Sequence, residues 1–218
     1  MKVCTDSCLF GAWVSLPENG RVVDIGAGTG LLSLMAAQRT NALVDAVELQ
    51  LEAALEARVN VSESPWADRI NVYQGNILDA TLPVYQNLYD AVICNPPFYD
   101  NHLKPNDPAD ATARHNATLP LNGLLNAIEK LLLPTGSAFL LLPYEPFKDP
   151  NAIFTNSKLK LAQSVAVKNH ASKQPIRWML ELKHETSETT TDGIVIYNDD
   201  KSYTDRFTEL LRPFYLYL

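Results

Sequence analysis

At 218 residues the chain has the length of one ordinary domain and enough material for a substantial core. Hydrophobic residues make up 46% and charged residues 20%, which excludes a disordered tail, and no uncharged apolar run is long enough to span a bilayer. The net charge of −7 argues against an indiscriminate nucleic-acid binder. That charge is uneven. Between positions 158 and 184, Lys158, Lys160, Lys168, Lys173, Arg177 and Lys183 stand against Glu181 alone, a net of +5, so the remainder carries −12. A local basic face suits a grip on a phosphate backbone in one place, and equally suits a solvated lysine-rich strand pair.

The opening residues hold no secretory core, since Asp6 interrupts them. Cys4, Cys8 and Cys94 are odd in number and lack metal-ligand spacing, so they read as reduced thiols of a cytoplasmic protein. Residues 21–25 (RVVDI) predict a short apolar strand, followed by a glycine-rich turn and a helix over 31–39. A second strand is expected over 43–49, a second helix over 50–62, and a third strand over 70–73. The fourth, 89–94 (YDAVIC), leads into Asn95, Pro96, Pro97 and Phe98.

Residues 99–118 read as a long polar loop, a length usual for lids and binding loops. A helix over 119–133, closed by Pro134-Thr135-Gly136, precedes a fifth strand over 137–142. Residues 159–168 and 176–183 alternate as two neighbouring antiparallel strands, and 203–211 form a last helix. Alternating strands and helices predict an α/β fold: a seven-stranded, mostly parallel sheet with helices on both faces and one antiparallel strand near the C-terminal edge. One domain, 1–218, is expected.

Two motifs carry chemistry. Asp24-Ile25-Gly26-Ala27-Gly28-Thr29-Gly30 lies between strand and helix. Its spacing, G-x-G-x-G, departs from the dinucleotide fingerprint G-x-G-x-x-G. Such a turn lets the backbone pass close beneath an amino-acid moiety and a cationic sulfonium, as in S-adenosylmethionine, with Asp24 suited to the cationic side. A nucleotide fold of another kind and a purely structural turn are the alternatives. Glu48 ends the second strand, where a carboxylate can accept two ribose hydroxyls; Asn76 and Ile77 follow the third, where an amide and an aliphatic suit an adenine.

The second motif is Asn95-Pro96-Pro97-Phe98. Asn-Pro-Pro-aromatic arises by chance about once in 500 chains of this length, so its place at a strand end is informative. An exocyclic amine on a base is a poor nucleophile because its lone pair is delocalised into the ring. An asparagine oxygen and a proline-fixed carbonyl can accept its two N–H groups and localise the lone pair toward a methyl group. Phe98 offers a face for an unpaired base to stack on. Arg114 is a candidate phosphate contact, as are Lys168, Lys173 and Arg177. The four histidines show no metal-ligand spacing, and no metal is expected.

These residues resemble the amino-nitrogen methyltransferases marked by (D/N)PP(aromatic). Three blocks sharpen the match: Lys2-Val3-Cys4-Thr5-Asp6 with Leu9-Phe10-Gly11-Ala12-Trp13, then Ser64-Pro65-Trp66-Ala67-Asp68-Arg69-Ile70-Asn71-Val72, then Phe214-Tyr215-Leu216-Tyr217-Leu218. Together they are similar to the bacterial tRNA1(Val) adenine-N6 methyltransferases over essentially the whole chain. The resemblance implies a Rossmann-like fold, S-adenosylmethionine as cofactor, and adenine-37 beside the anticodon of tRNA1(Val) as target. It implies catalysis by Asn95, Pro96, Pro97 and Phe98. It also implies cofactor contacts from Thr5, Asp6, Asp24, Gly26, Gly28, Gly30, Glu48, Leu49, Asn76, Ile77 and Asn95. Residues 1–20 would then be a lead-in capping the cofactor, 99–118 a substrate loop and 158–184 a basic strand pair.

A monomer without membrane or metal partners is expected. Relatives usually carry a short stretch ahead of the Lys2 block, at which this chain begins, and a glycine where it has Cys4, so a missing N-terminal piece is an open alternative. Rival readings keep the fold and change the acceptor to a guanine N2 of ribosomal RNA or a protein glutamine, or dispense with turnover in an RNA-binding paralogue.

Overall fold

The computed structural model describes residues 5–96, 120–155 and 157–217. Its strands are β1 (Arg21–Ile25), β2 (Leu43–Glu48), β3 (Ile70–Gln74), β4 (Tyr89–Cys94), β5 (Leu132–Pro143), β6 (Lys160–Lys168), β7 (Arg177–Lys183) and β8 (Thr190–Val195). The helices are α1 (Thr5–Trp13), α2 (Leu31–Arg39), α3 (Leu51–Ser62), α4 (Leu121–Leu131), the single turn α5 (Pro150–Ile153) and α6 (Asp205–Leu211). All eight strands join one sheet in the order β3-β2-β1-β4-β5-β7-β6-β8. Every pairing is parallel except those of β7, which runs antiparallel to both β5 and β6.

The sheet therefore has one strand more than expected, and the addition is β8. Its residues Thr190, Thr191, Asp192 and Gly193 are exposed and lack apolar alternation, which is why the sequence conceals it. It pairs with β6 as an edge strand, where polar residues are tolerated on both faces. The second difference concerns β5. Pro134-Thr135-Gly136 does not follow a helix end but interrupts a strand: Tyr89 pairs with Leu132, and Ala91 pairs next with Ser137. The intervening residues bulge out, and a side chain at Gly136 would sit 2.9 Å from the Asp90 carbonyl oxygen.

Alternation along the strands divides the core between two faces. Val22, Val44, Ile93, Phe139 and Leu141 pack with Phe10 of α1, Met35 of α2 and Phe207 of α6. Val23, Val47, Val92, Leu140 and Leu180 pack on the other face with Leu124 and Ile128. Those two belong to the α4 stripe Leu121, Leu124, Leu125, Ile128 and Leu131, spaced as one helical face requires. Each fully buried aliphatic or aromatic side chain contributes about 1.5–3 kcal/mol. A buried carboxylate links the strands. Asp45 accepts from Arg21 Nη2 at 2.9 Å, Tyr89 Oη at 2.7 Å and Asn71 Nδ2 at 2.9 Å, tying β1, β3 and β4 to β2.

Candidate active site

The parallel strands deliver their carboxyl ends to one edge, and the two motifs leave β1 and β4 side by side. Ile25 pairs with Cys94, so Gly26 and Asn95 are the next residues on adjacent strands. The turn depends on left-handed backbone at Gly26 (φ 74°), Gly28 (57°) and Gly30 (88°), conformations that side chains disfavour. Gly26 and Ala27 N–H groups both donate to the Val47 carbonyl, at 2.8 and 3.1 Å, which folds the turn against β2. Among the described residues, a Cβ placed on Gly26 would meet no atom within 4 Å beyond its chain neighbours, whereas one on Gly30 would touch Ala57 at 3.5 Å. Gly30 is thus packed against α3, and among the described residues Gly26 is exposed, leaving its backbone open to close approach by a ligand.

Three polar groups stand on or directly after the strands that flank this turn. Glu48 is buried; one carboxylate oxygen accepts the Gly28 N–H at 2.8 Å and the other the Gln50 N–H at 2.8 Å. Each oxygen retains a second lone pair for a hydroxyl. Asp24 is fully buried, its Oδ2 accepts the Ser33 hydroxyl at 2.6 Å, and its Oδ1 has no hydrogen-bond partner among the described residues. Burial pushes the Asp24 carboxyl up to about 6, against the pull of Ser33, with Glu48 adding to the push. An orphaned buried carboxylate oxygen beside an open glycine cradle fits a ligand that brings positive charge. The third group is Asn95, half-buried, whose Nδ2 donates to Ser7 Oγ at 2.9 Å. That bond places Asn95 on the α1 side of the sheet, the face that also holds Asp24 and Ser33.

Helix α1 covers this face, held at its first turn by side chains from distant parts of the chain. Arg177 Nε donates to Asp6 Oδ2 at 2.8 Å, linking residues 171 positions apart. Tyr215, from the segment after α6, engages the side chains of Thr5 and Cys8. Burial and the Cys8 contact push its phenol up to about 12.

The expected site residues thus fall into groups. Asp24, Gly26, Gly28, Glu48 and Asn95 converge on one edge, and Pro96 follows, buried. Leu49 lies exposed at the end of β2. Asn76 is exposed beyond β3, its Oδ1 accepting the Leu78 N–H at 3.0 Å. Ile77 is only 4% exposed and packs into the core with Val84 and Tyr85, leaving little of it to cover a ring; Leu78, 43% exposed, has more surface to give. Lys168 and Lys173 stand at the end of β6 and in the turn after it, on the same edge as the motifs. Arg177 is engaged by Asp6, so two residues expected in different roles form one ion pair. Pro97, Phe98, Arg114 and the 99–118 loop lie outside the described residues. Ser7 and Ser33 went unnoticed in the sequence because a lone serine has no spacing to signal it. Among the described residues no cluster of His, Cys, Asp or Glu could hold a metal ion, and no helix is long and apolar enough to cross a membrane.

The model of the methyltransferase small domain matches residues 7–128, from α1 through both motifs to α4. Solved structures agree on the fold. A predicted O-methyltransferase from Agrobacterium tumefaciens superposes with a TM-score of 0.74 at 16% identity, covering 97% of this chain and 98% of the other. The glycopeptide N-methyltransferase MtfA, complexed with S-adenosyl-L-methionine, gives 0.58 at 15% identity over 83% of this chain and 94% of that one. Curated relatives are much nearer. The tRNA1(Val) (adenine(37)-N6)-methyltransferase of Shewanella sp. (strain MR-4) is 40% identical over 100% of this chain and 93% of its own length. Its namesake in Aeromonas salmonicida (strain A449) is 40% identical over 99% of this chain and 91% of its own. With likeness at that level from end to end, the chain belongs to the family of the tRNA1(Val) (adenine(37)-N6)-methyltransferases.

Proposed function

We propose that this protein methylates the exocyclic N6 of adenine in tRNA, with adenine-37 beside the anticodon of tRNA1(Val) as the target and S-adenosylmethionine as the donor. The observation that carries this reading is the exit of Asn95 from β4 directly beside the open cradle at Gly26. Bound there, the donor would supply an electrophilic methyl on a sulfonium. Glu48 would take its ribose hydroxyls and Asp24 would face its positive charge. Leu49, Asn76 and the Ile77–Leu78 pair would flank its adenine. Asn95 Oδ1 and the Pro96 carbonyl would accept the two N–H bonds of the target amine, leaving its lone pair aimed at the methyl. No acid or base is required of these residues; their contribution is rigid placement of acceptors. Pro97 and Phe98 would complete the segment, with Phe98 stacking on the base. Lys168, Lys173 and Arg114 are suited to the tRNA backbone, whereas Arg177 would position α1 through Asp6. We take the protein to work as a cytoplasmic monomer, one domain whose lead-in caps the cofactor and whose 99–118 loop meets substrate.

Incubation with methyl-labelled cofactor and total RNA from a strain lacking the enzyme is expected to label tRNA, and digestion to yield N6-methyladenosine. Label confined to ribosomal RNA or to protein would transfer the assignment to a guanine or glutamine acceptor.

Asp24 makes cofactor binding proton-linked. Its folded value, about 6, lies above the ordinary 3.8. The protonated form therefore contributes stability that is fully present below 3.8 and is lost as pH rises through about 6. A cationic ligand prefers the ionised form, so binding must expel the proton at low pH. Affinity for the cofactor, measured by calorimetry, is expected to be flat above pH 7 and to fall by up to about tenfold per unit below 6. Asp24→Asn should bind weakly with no such slope; a slope that persists in Asp24→Asn would refute the linkage.

A further inference from the structure

We infer that Ser7 is a positioning residue for the Asn95 amide and fixes which end of that amide meets the substrate. The inference rests on the role of Asn95 as acceptor for the target amine. A primary amide has nearly the same shape at its two ends and opposite polarity. With Oδ1 toward the substrate, the amide accepts an N–H and leaves the nitrogen lone pair free. Turned over, Nδ2 would donate into that lone pair and block its attack. What the far end meets therefore decides between a productive and an inhibitory site.

Here the far end is Nδ2, donating to Ser7 Oγ at 2.9 Å. A serine hydroxyl can also donate, so its surroundings must select the acceptor role. The Asp6 carboxylate accepts the Ser7 backbone N–H at 3.0 Å, so a negative charge belongs to the same first turn. A charge of that sign favours the positive, N–H end of the amide on this side. Asp6 is itself held by Arg177, so the arrangement does not drift. The mount is rigid as well: Leu9 and Phe10, the next turn of α1, have no exposed surface. A hydrogen bond from a fixed helix restricts the amide more closely than the loop that follows β4 could alone.

Single-turnover methylation with labelled cofactor and tRNA, on the full chain, tests this in five proteins: wild type, Ser7→Ala, Ser7→Thr, Asn95→Ala and the Ser7→Ala/Asn95→Ala double variant. Ser7→Ala is expected to slow transfer roughly tenfold, the worth of one positioning hydrogen bond, with cofactor Kd, tRNA KM and melting temperature unchanged. Ser7→Thr, which keeps the hydroxyl, should recover most of the rate. In the Asn95→Ala background Ser7→Ala should cost nothing further, because its effect passes through the amide. Overturning results are an equal loss in both backgrounds, a loss appearing as weaker cofactor binding, or a wild-type rate for Ser7→Ala. If Asn95→Ala itself methylates at the wild-type rate, the acceptor role of Asn95 fails, and the role of Ser7 with it.

Discussion

Asn95→Ala is expected to slow methyl transfer by roughly 10²- to 10³-fold, the cost of removing one preorganised group from a site of charge development. On the proposed reading, the cofactor contacts and the acceptor contacts come from different strands. Glu48 ends β2 and Asp24 lies in β1, while Asn95 follows β4. Removing the Asn95 amide therefore leaves the Asp24 and Glu48 carboxylates with their protein partners. Cofactor affinity, measured on the same protein by calorimetry, should change by less than about threefold, since the lost interaction is made to the other substrate. A variant that bound cofactor poorly and turned over normally once saturated would show that Asn95 serves the cofactor instead.

The largest loss of stability is expected from Asp45→Ala. Its carboxylate is 1% exposed and satisfies Arg21, Tyr89 and Asn71 together. Burial, followed by the Asp45 contact, holds the Tyr89 phenol far above the usual range, so the ring stays a neutral donor at any working pH. Without the acceptor, the Tyr89 hydroxyl and the Arg21 guanidinium remain in the sheet with nothing to bond. Arg21 is 30% exposed and can recover some hydration, which places the cost near the lower end of a broken buried pair, about 3 kcal/mol. For a chain of this size that corresponds to a melting temperature lower by roughly 6–12 °C. Asp45→Asn keeps one acceptor and should lose less. Thermal unfolding of the two variants, followed by circular dichroism, checks both the size and the order.

The central strands were legible because parallel strands buried on both faces read as short apolar runs, as RVVDI and YDAVIC do. The glycine turn and Asn95 were legible because their residue types answer to backbone geometry and chemistry that few alternatives satisfy. Helix α1 was not. Cys8, Leu9, Phe10, Gly11 and Ala12 are all buried, so it has no polar face to create a period, and Gly11 suggests a break. Gly11 gives proximity: a Cβ would lie 2.7 Å from Met35 Sδ, so α1 and α2 could pack this closely only with the Met35 side chain displaced. The Asp6–Arg177 pair was equally hidden, since partners 171 residues apart leave no local trace. Arg177 read as part of a basic run because the acid that engages it stands near the other end of the chain.

The same ion pair, with Tyr215 against Thr5 and Cys8, bears on when the enzyme becomes competent during synthesis. The glycine turn and Asn95 have emerged from the ribosome well before Arg177 and Tyr215 are made. Until then α1 has neither tether, and closing so long a loop must await those two residues. A nascent polypeptide halted before β7 would hold both signature motifs yet lack the tethers that fix α1 beside them, so residues made late in translation secure a helix made early.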